Sequence, residues 1–191
     1  MNIDELLHIM PPPNAPEEVD PGGWAAVEAR LGTALPADYK VFIDKYGSGV
    51  ITRFINVFNP FSSNRFVNLI DQLPVRLGAL ATVQQFTDRH PEWLPYPLFP
   101  AAGGLLPFGG DDNGDCLFWV TDGSPDQWRV VVNEARAPKY EEFNCVAVAF
   151  IGEILARRRI CKIFPEEFPH MPPMFEPAST FARADCGGRE C

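Results

Sequence analysis

Histidine is scarce in this chain. Only His8, His90 and His170 occur among 191 residues. None of the three lies in a motif that holds a base against a nucleophile, so the commonest general base is missing from the expected core. Long apolar runs are missing as well. None approaches the roughly 18 residues that mark a membrane-crossing helix, so no membrane partner is expected. Basic residues are few: 16 Lys and Arg stand against 25 Asp and Glu, a net charge of −9. A surface of that sign repels phosphate backbones, which argues against direct nucleic-acid binding and permits a basic protein partner. The opening Met1-Asn2-Ile3-Asp4-Glu5 lacks the basic start and apolar stretch of a secretion signal, so the cytoplasm is the expected compartment. Five cysteines (116, 145, 161, 186 and 191) are an odd number for a disulfide framework. Free thiols are expected.

What is present reads as a globular core with many hard stops. Hydrophobic residues make up 46% of the chain and charged residues 21%, with 15 Phe and 20 Pro. Ile3–Met10 places Ile3, Leu6, Leu7 and Met10 on one helical stripe, and three prolines then end it. Gly23–Leu31 places Trp24, Val27 and Leu31 together, with Gly32 as a C-terminal cap. Behind Pro36, Tyr39, Phe42, Ile43 and Tyr46 recur at i, i+3, i+4 and i+7, the strongest helical signal of the sequence. Residues 50–58 predict one strand or a bent pair. Residues 64–90 predict helix in two pieces, broken near Pro74. Leu105–Phe108 predicts a short strand, and 109–114 a turn centred on Asn113-Gly114. Asp115–Thr121, apolar on both faces, predicts a central strand. A turn at 122–126, a strand at 127–133 and a further strand near 140–143 complete a meander. Asn144 is placed to cap a last helix at 145–158. Beyond it, five prolines between 165 and 177 argue against helix or sheet. The division expected is a helix and Pro-rich connector at 1–21, one domain at 22–164, and a Pro-rich, Cys-containing tail at 165–191. The fold class is α+β, with a mainly antiparallel sheet packed by helices.

Candidate chemistry is sparse. Asp111, Asn113 and Asp115 match positions 1, 3 and 5 of a calcium loop, but Cys116 and Asp122 stand where Gly and Glu are needed. The stretch therefore reads as a hairpin turn. Cys186 and Cys191 offer a metal site with Cys161 or His170. Their spacing is looser than a C-x₂-C knuckle, and a terminal dithiol is the plainer reading. No metal, cofactor or catalytic residue is expected. Between 111 and 142, eight acids face three bases. An acidic rim on a rigid meander suits a basic partner, because steering needs sign and not catalytic geometry. Asp111, Asp112, Asp122, Asp126, Trp128 and Glu134 are the expected partner-facing residues.

The linear pattern resembles the SUKH superfamily, also known through the yeast cell-wall assembly regulator. The resemblance rests on Trp24-x-x-Val27-Glu28-x-x-Leu31-Gly32 and on Leu35-Pro36-Ala37-Asp38-Tyr39-Lys40-x-Phe42-Ile43-x-x-Tyr46-Gly47-Ser48-Gly49. It continues through Asn59-Pro60-Phe61, Phe99-Pro100 and Gly103-Gly104-Leu105-Leu106-Pro107-Phe108-Gly109. Asp111-Asp112-Asn113-Gly114-Asp115-x-x-Phe118-Trp119, Trp128 and the helix around Phe150–Leu155 close it. It spans about residues 22–160. It implies an α+β domain without catalytic activity. Its bacterial members are mostly immunity proteins against toxins that are often nucleases or deaminases, and its yeast-type members are regulatory interaction modules. The expectation is therefore an immunity protein that occludes a cognate toxin, with a regulatory scaffold as the alternative. An enzyme or metal protein using the 111–115 carboxylates or the tail cysteines is the third possibility.

Overall fold

The computed structural model describes residues 1–180. Helix α1 (Ile3–Ile9) starts in a capping box: Asn2 accepts the Glu5 N–H while Glu5 accepts the Asn2 N–H. Two orphan donors are thus satisfied reciprocally. Leu6 and Met10 are fully buried. Helix α2 (Trp24–Leu31) ends at Gly32, which takes the left-handed conformation that favours glycine. Helix α3 (Ala37–Tyr46) buries all four residues of its predicted stripe. Pro36 falls one residue ahead of the helix and has no side-chain oxygen to cap it. Asp126 supplies the cap from a distant turn, accepting the Ala37 N–H at 2.7 Å. Gly47 ends the helix at φ +69°, and a Cβ there would meet the Glu17 backbone at 2.2 Å.

The connector is fastened to this unit. Tyr46 donates to the Met10 carbonyl at 2.5 Å. Glu18 accepts from Ser62 and from Ser63. Burial works to raise the Glu18 carboxyl, but hydrogen bonds from Ser48, Ser63 and Ser62 outweigh it and hold the group at about 2.

The expected bent pair is a hairpin of β1 (Gly49–Ile51) and β2 (Ile55–Val57). Helix α4 (Leu69–Gln84) runs unbroken, against the expectation of two pieces. Its start is fixed by Asn68, which accepts from Ile70 and Asp71 N–H. Pro74 then sits in the second turn, where it removes one helical hydrogen bond without ending the helix. Residues 64–67 precede the helix, and 85–89 follow it as turns.

Strands β3 (Leu105–Asp111), β4 (Cys116–Val120), β5 (Arg129–Asn133) and β6 (Tyr140–Phe143) form the meander. β3 is longer than expected. Gly109 and Gly110 continue the strand, and at Gly109 β2 approaches too closely for a side chain: a Cβ there would lie 2.8 Å from the Asn56 carbonyl. A bulge between Pro107 and Gly109 absorbs the proline. Helix α5 (Ala147–Leu155) is shorter than expected, and Asn144 does not cap it. Asp38 does, from α3, accepting the Val148 N–H at 3.0 Å.

The stretch beyond 164 was expected to hold no sheet. It contributes β7 (Phe175–Pro177), antiparallel to β1. Pro177 can pair there because β7 is an edge strand. Arg53 binds Glu176 with two nitrogens, and Phe175 packs on Tyr46 at 5.1 Å. The sheet order is β6-β5-β4-β3-β2-β1-β7, every pair antiparallel. The α+β class expected from the sequence is thus observed. Among the described residues no helix is long and apolar enough to cross a membrane.

The sheet separates two apolar clusters. Leu117 and Trp119 point into the larger one, with α1, α2, α3 and α5. Cys116, Phe118 and Val120 point into a smaller one that includes Leu80 of α4. The period-2 alternation of β4 produces this division.

Candidate functional site

The structure divides the expected acidic rim into two ends. Asp111, Asp112 and Asp115 lie where β4 begins, and Glu134 follows β5 at the same end. Asp122 and Asp126 lie beyond the far end of β4. Five strand residues separate them, about 17 Å at 3.4 Å per residue.

At the near end, Asp111 is a structural residue. Its Oδ1 accepts the N–H groups of Asn113 and Asp115, both at 3.0 Å. Its Oδ2 is buried with no hydrogen-bond partner. Burial and, next, the neighbouring Asp115 carboxylate push the Asp111 carboxyl up to about 7. Asp115 accepts the Ala135 N–H at 2.9 Å and so ties the 111–115 turn to the 134–139 turn. Asp112 is exposed, and partial desolvation raises its carboxyl. The hairpin-turn reading therefore holds. Among the described residues, no three His, Cys, Asp or Glu side chains form a group fit to hold a metal ion.

At the far end, Asp122 is exposed and stands 4.0 Å from Arg129, which also pairs with Glu142 at 2.7 Å. Asp126 is exposed but engaged in capping α3. Two expected partner-facing residues are corrected. Trp128 is 3% exposed and packs 5.9 Å from Trp119 inside the larger cluster, so it cannot serve as a surface anchor. Asp111 is 8% exposed and turned into its own loop. Asp112, Asp122 and Asp126 remain exposed, and Glu134 is half-buried beside Lys139 at 3.2 Å.

The near end carries a feature that sequence reasoning missed. A half-open groove of about 440 Å³ lies between α4 and the 134–139 turn. Its floor is Leu80, Cys116 and Phe118, and its walls include Ala79, Val83 and Tyr140. A second hollow of about 280 Å³ adjoins it, lined by Asp112, Asn113, Asp115, Glu134, Arg136 and Ile163. Glu134 and Arg136 border both. Arg76 in the groove wall is already engaged, donating to Gln72 and to the Gly114 carbonyl and lying over the Phe58 ring. One sequence signal pointed here. Helix α4 carries only Asp71 and Arg76 as charges across its whole length, too few for a helix with an ordinary solvated face.

Nucleophilic groups are poorly placed for chemistry. Burial pushes the thiols of Cys116 and Cys161 up to about 12 and also raises that of Cys145. A thiol held protonated is a weak nucleophile and a weak metal ligand. His90 stacks on Trp93 at 4.2 Å, and His8 and His170 are exposed. The Cys186 and Cys191 pair lies outside the described residues.

These features define an α+β domain built on an antiparallel meander, with acidic residues at both ends and an apolar groove. The chain belongs to the SUKH_6 family, described as SMI1-KNR4 cell-wall, whose model matches residues 22–150. The match covers α2 through β6 and the start of α5, and leaves out α1 and β7. No curated protein and no solved structure gives a match. Proteins of this family are generally non-catalytic immunity or regulatory modules.

Proposed function

We propose that this chain is an immunity protein that binds a cognate toxin domain and blocks it by occlusion. The toxin class that fits is one acting on nucleic acid, a nuclease or a deaminase, because such an enzyme presents a basic surface to its substrate. The observation that carries the reading is the set of exposed acids, Asp112, Asp122 and Asp126, held at the two ends of a rigid meander. Fixed negative charge of this kind steers a basic protein and occupies the place of phosphates. The reading needs no cofactor, no nucleic acid and no membrane, and it requires no catalysis by this chain.

Co-expression with the product of the adjacent gene is the test. Restored viability together with a stable complex supports the proposal, while neither rescue nor complex removes it. A regulatory module would behave differently on deletion. Its loss would leave a defect even after the neighbouring gene is also removed, whereas an immunity gene becomes dispensable then.

A further inference from the structure

We propose that the β1 edge is a strand-accepting site and that its ligand, the 174–179 segment, is exchanged between two copies of this chain. Strands β1 to β6 all lie within residues 22–150, and β7 is added to their β1 edge from outside that stretch. The edge is shaped for this strand. A Cβ on Gly49 would lie 2.3 Å from the Glu176 carbonyl, so the missing side chain lets β7 approach. Phe175 packs on the rings of Tyr46 and Phe42, at 5.1 and 6.5 Å. Arg53 takes the Glu176 carboxylate with Nε and Nη2, each at 2.9 Å. An aromatic residue followed by an acid is thus the sequence that this edge reads.

The turn between β1 and β2 is fastened to the same segment. Thr52 and Arg53 sit at φ +49° and +53°, left-handed conformations that residues other than glycine adopt at a cost. Contacts with the segment offset that cost: the Thr52 N–H donates to the Met174 carbonyl at 2.8 Å, and Arg53 holds Glu176. At the other end, the Ala178 N–H donates to the Ser48 carbonyl and the Ser179 N–H to Glu17, both at 3.0 Å. All of these contacts run between the segment and the rest of the chain. The segment of a second copy remakes every one of them when it takes the same place.

The joint ahead of the segment permits the exchange. Phe168 packs 4.7 Å from Phe54, and Arg157 donates to the Pro169 carbonyl at 2.6 Å, which fixes the chain up to that point. Residues 170–173 make no hydrogen bond among the described residues. Two of them are Pro172 and Pro173, a pair that holds the backbone extended. An extended joint delivers the strand to its own edge or to a neighbour's without rearranging the domain. Closed and exchanged forms then differ only in the joint and in the entropy of association, so concentration selects between them. A foreign strand would have to match both the ring shelf and Arg53. A second copy matches both by identity, and the inference stands apart from the toxin reading.

Charge reversal tests it in the full chain. Arg53→Glu and Glu176→Arg each set like charges across the β1–β7 pair, both in the closed form and in an exchange between identical copies. Mixed together, the two variants set opposite charges across both exchanged pairs. Light scattering should show monomers for each variant alone and a one-to-one dimer for the mixture. The double variant restores the pair within one chain and should melt as the parent does. Adding Phe175→Ala to the Arg53→Glu chain removes the anchor and should weaken the dimer about tenfold. A mixture that stays monomeric overturns the exchange. A dimer indifferent to Phe175→Ala traces association to net charge and overturns the strand site. Hydrogen exchange of the parent checks detachment without any variant. The Thr52 and Ala178 amides, bonded across the β1–β7 pair, should exchange about a hundredfold faster than that of Trp119 in the central strand. Protection equal to that of Trp119 would mean a strand that never leaves its edge, and would overturn the proposal as well.

Discussion

The two faces of the sheet differ in how completely they are covered. One face supports a cluster of 33 buried residues sealed by four helices, and the other a cluster of seven beneath α4 and the 94–98 segment. On the first face aromatic rings interlock. Trp119 stacks on Phe108 at 4.7 Å and takes the edge of Tyr39 at 4.9 Å. On the second, the covering stops short and leaves the groove. The lesson is that one strand serves two purposes: β4 packs the larger core with its odd-numbered residues and floors the groove with its even-numbered ones.

Phe118 and Trp119 are therefore the sharpest pair for comparing the faces. Both are at most 1% exposed, and they are adjacent in β4. Trp119→Ala leaves a cavity walled by rigid rings and should cost about 3–5 kcal/mol. Phe118→Ala opens its cavity into the groove, where solvent and α4 side chains can refill it. Its cost should fall near or below the lower end of that range, about 2–3 kcal/mol. Chemical denaturation of the two variants measures both. Equal losses would contradict the claim that the smaller face is incompletely covered.

The difference between the faces also decides what the sequence could reveal. The stripe of α3 and the alternation of β4 were legible because local period and burial agree there. The cap of α5 was not, because Asp38 arrives from a helix 110 residues away in sequence. The strand at 175–177 was hidden by its proline density, since an edge strand needs only some of its donors. The 109–110 glycines read as turn because nothing local reports how near β2 comes. For the site, the composition of 111–142 announced acidity, but topology split it between two ends. Asp126 and Trp128 were both expected to face a partner, and folding made one a helix cap and buried the other in the core. The groove depends on α4 lying across the sheet, a long-range fact with a faint sequence trace in the missing charges of that helix.

Asp122 and Asp126 sharpen the comparison at the far end of the meander. Both are exposed acids in one turn, yet only Asp126 is engaged with the helical side of the molecule. Asp126→Ala orphans the Ala37 N–H at the start of α3 and should cost about 1 kcal/mol. Asp122→Ala breaks only a 4.0 Å surface contact with Arg129 and should stay within about 0.5 kcal/mol of the parent. A loss at Asp122 as large as that at Asp126 would show that the ion pair, and not the cap, holds this end together.

The near end should respond to pH instead. The Asp111 carboxyl titrates at 3.8 when unfolded and is held at about 7 in the native turn, raised by burial and then by Asp115. A native group that keeps its proton to higher pH makes the folded state lose stability as pH rises across that interval. Above about pH 7 the native turn holds a buried carboxylate beside that of Asp115, with one of its oxygens unpartnered. Asp111→Asn keeps an oxygen to accept from Asn113 and Asp115 and removes the charge. It should therefore raise the melting temperature by a few degrees at pH 8, with the gain shrinking to nothing toward pH 4. A constant offset at every pH would trace the effect to packing of the amide and not to titration.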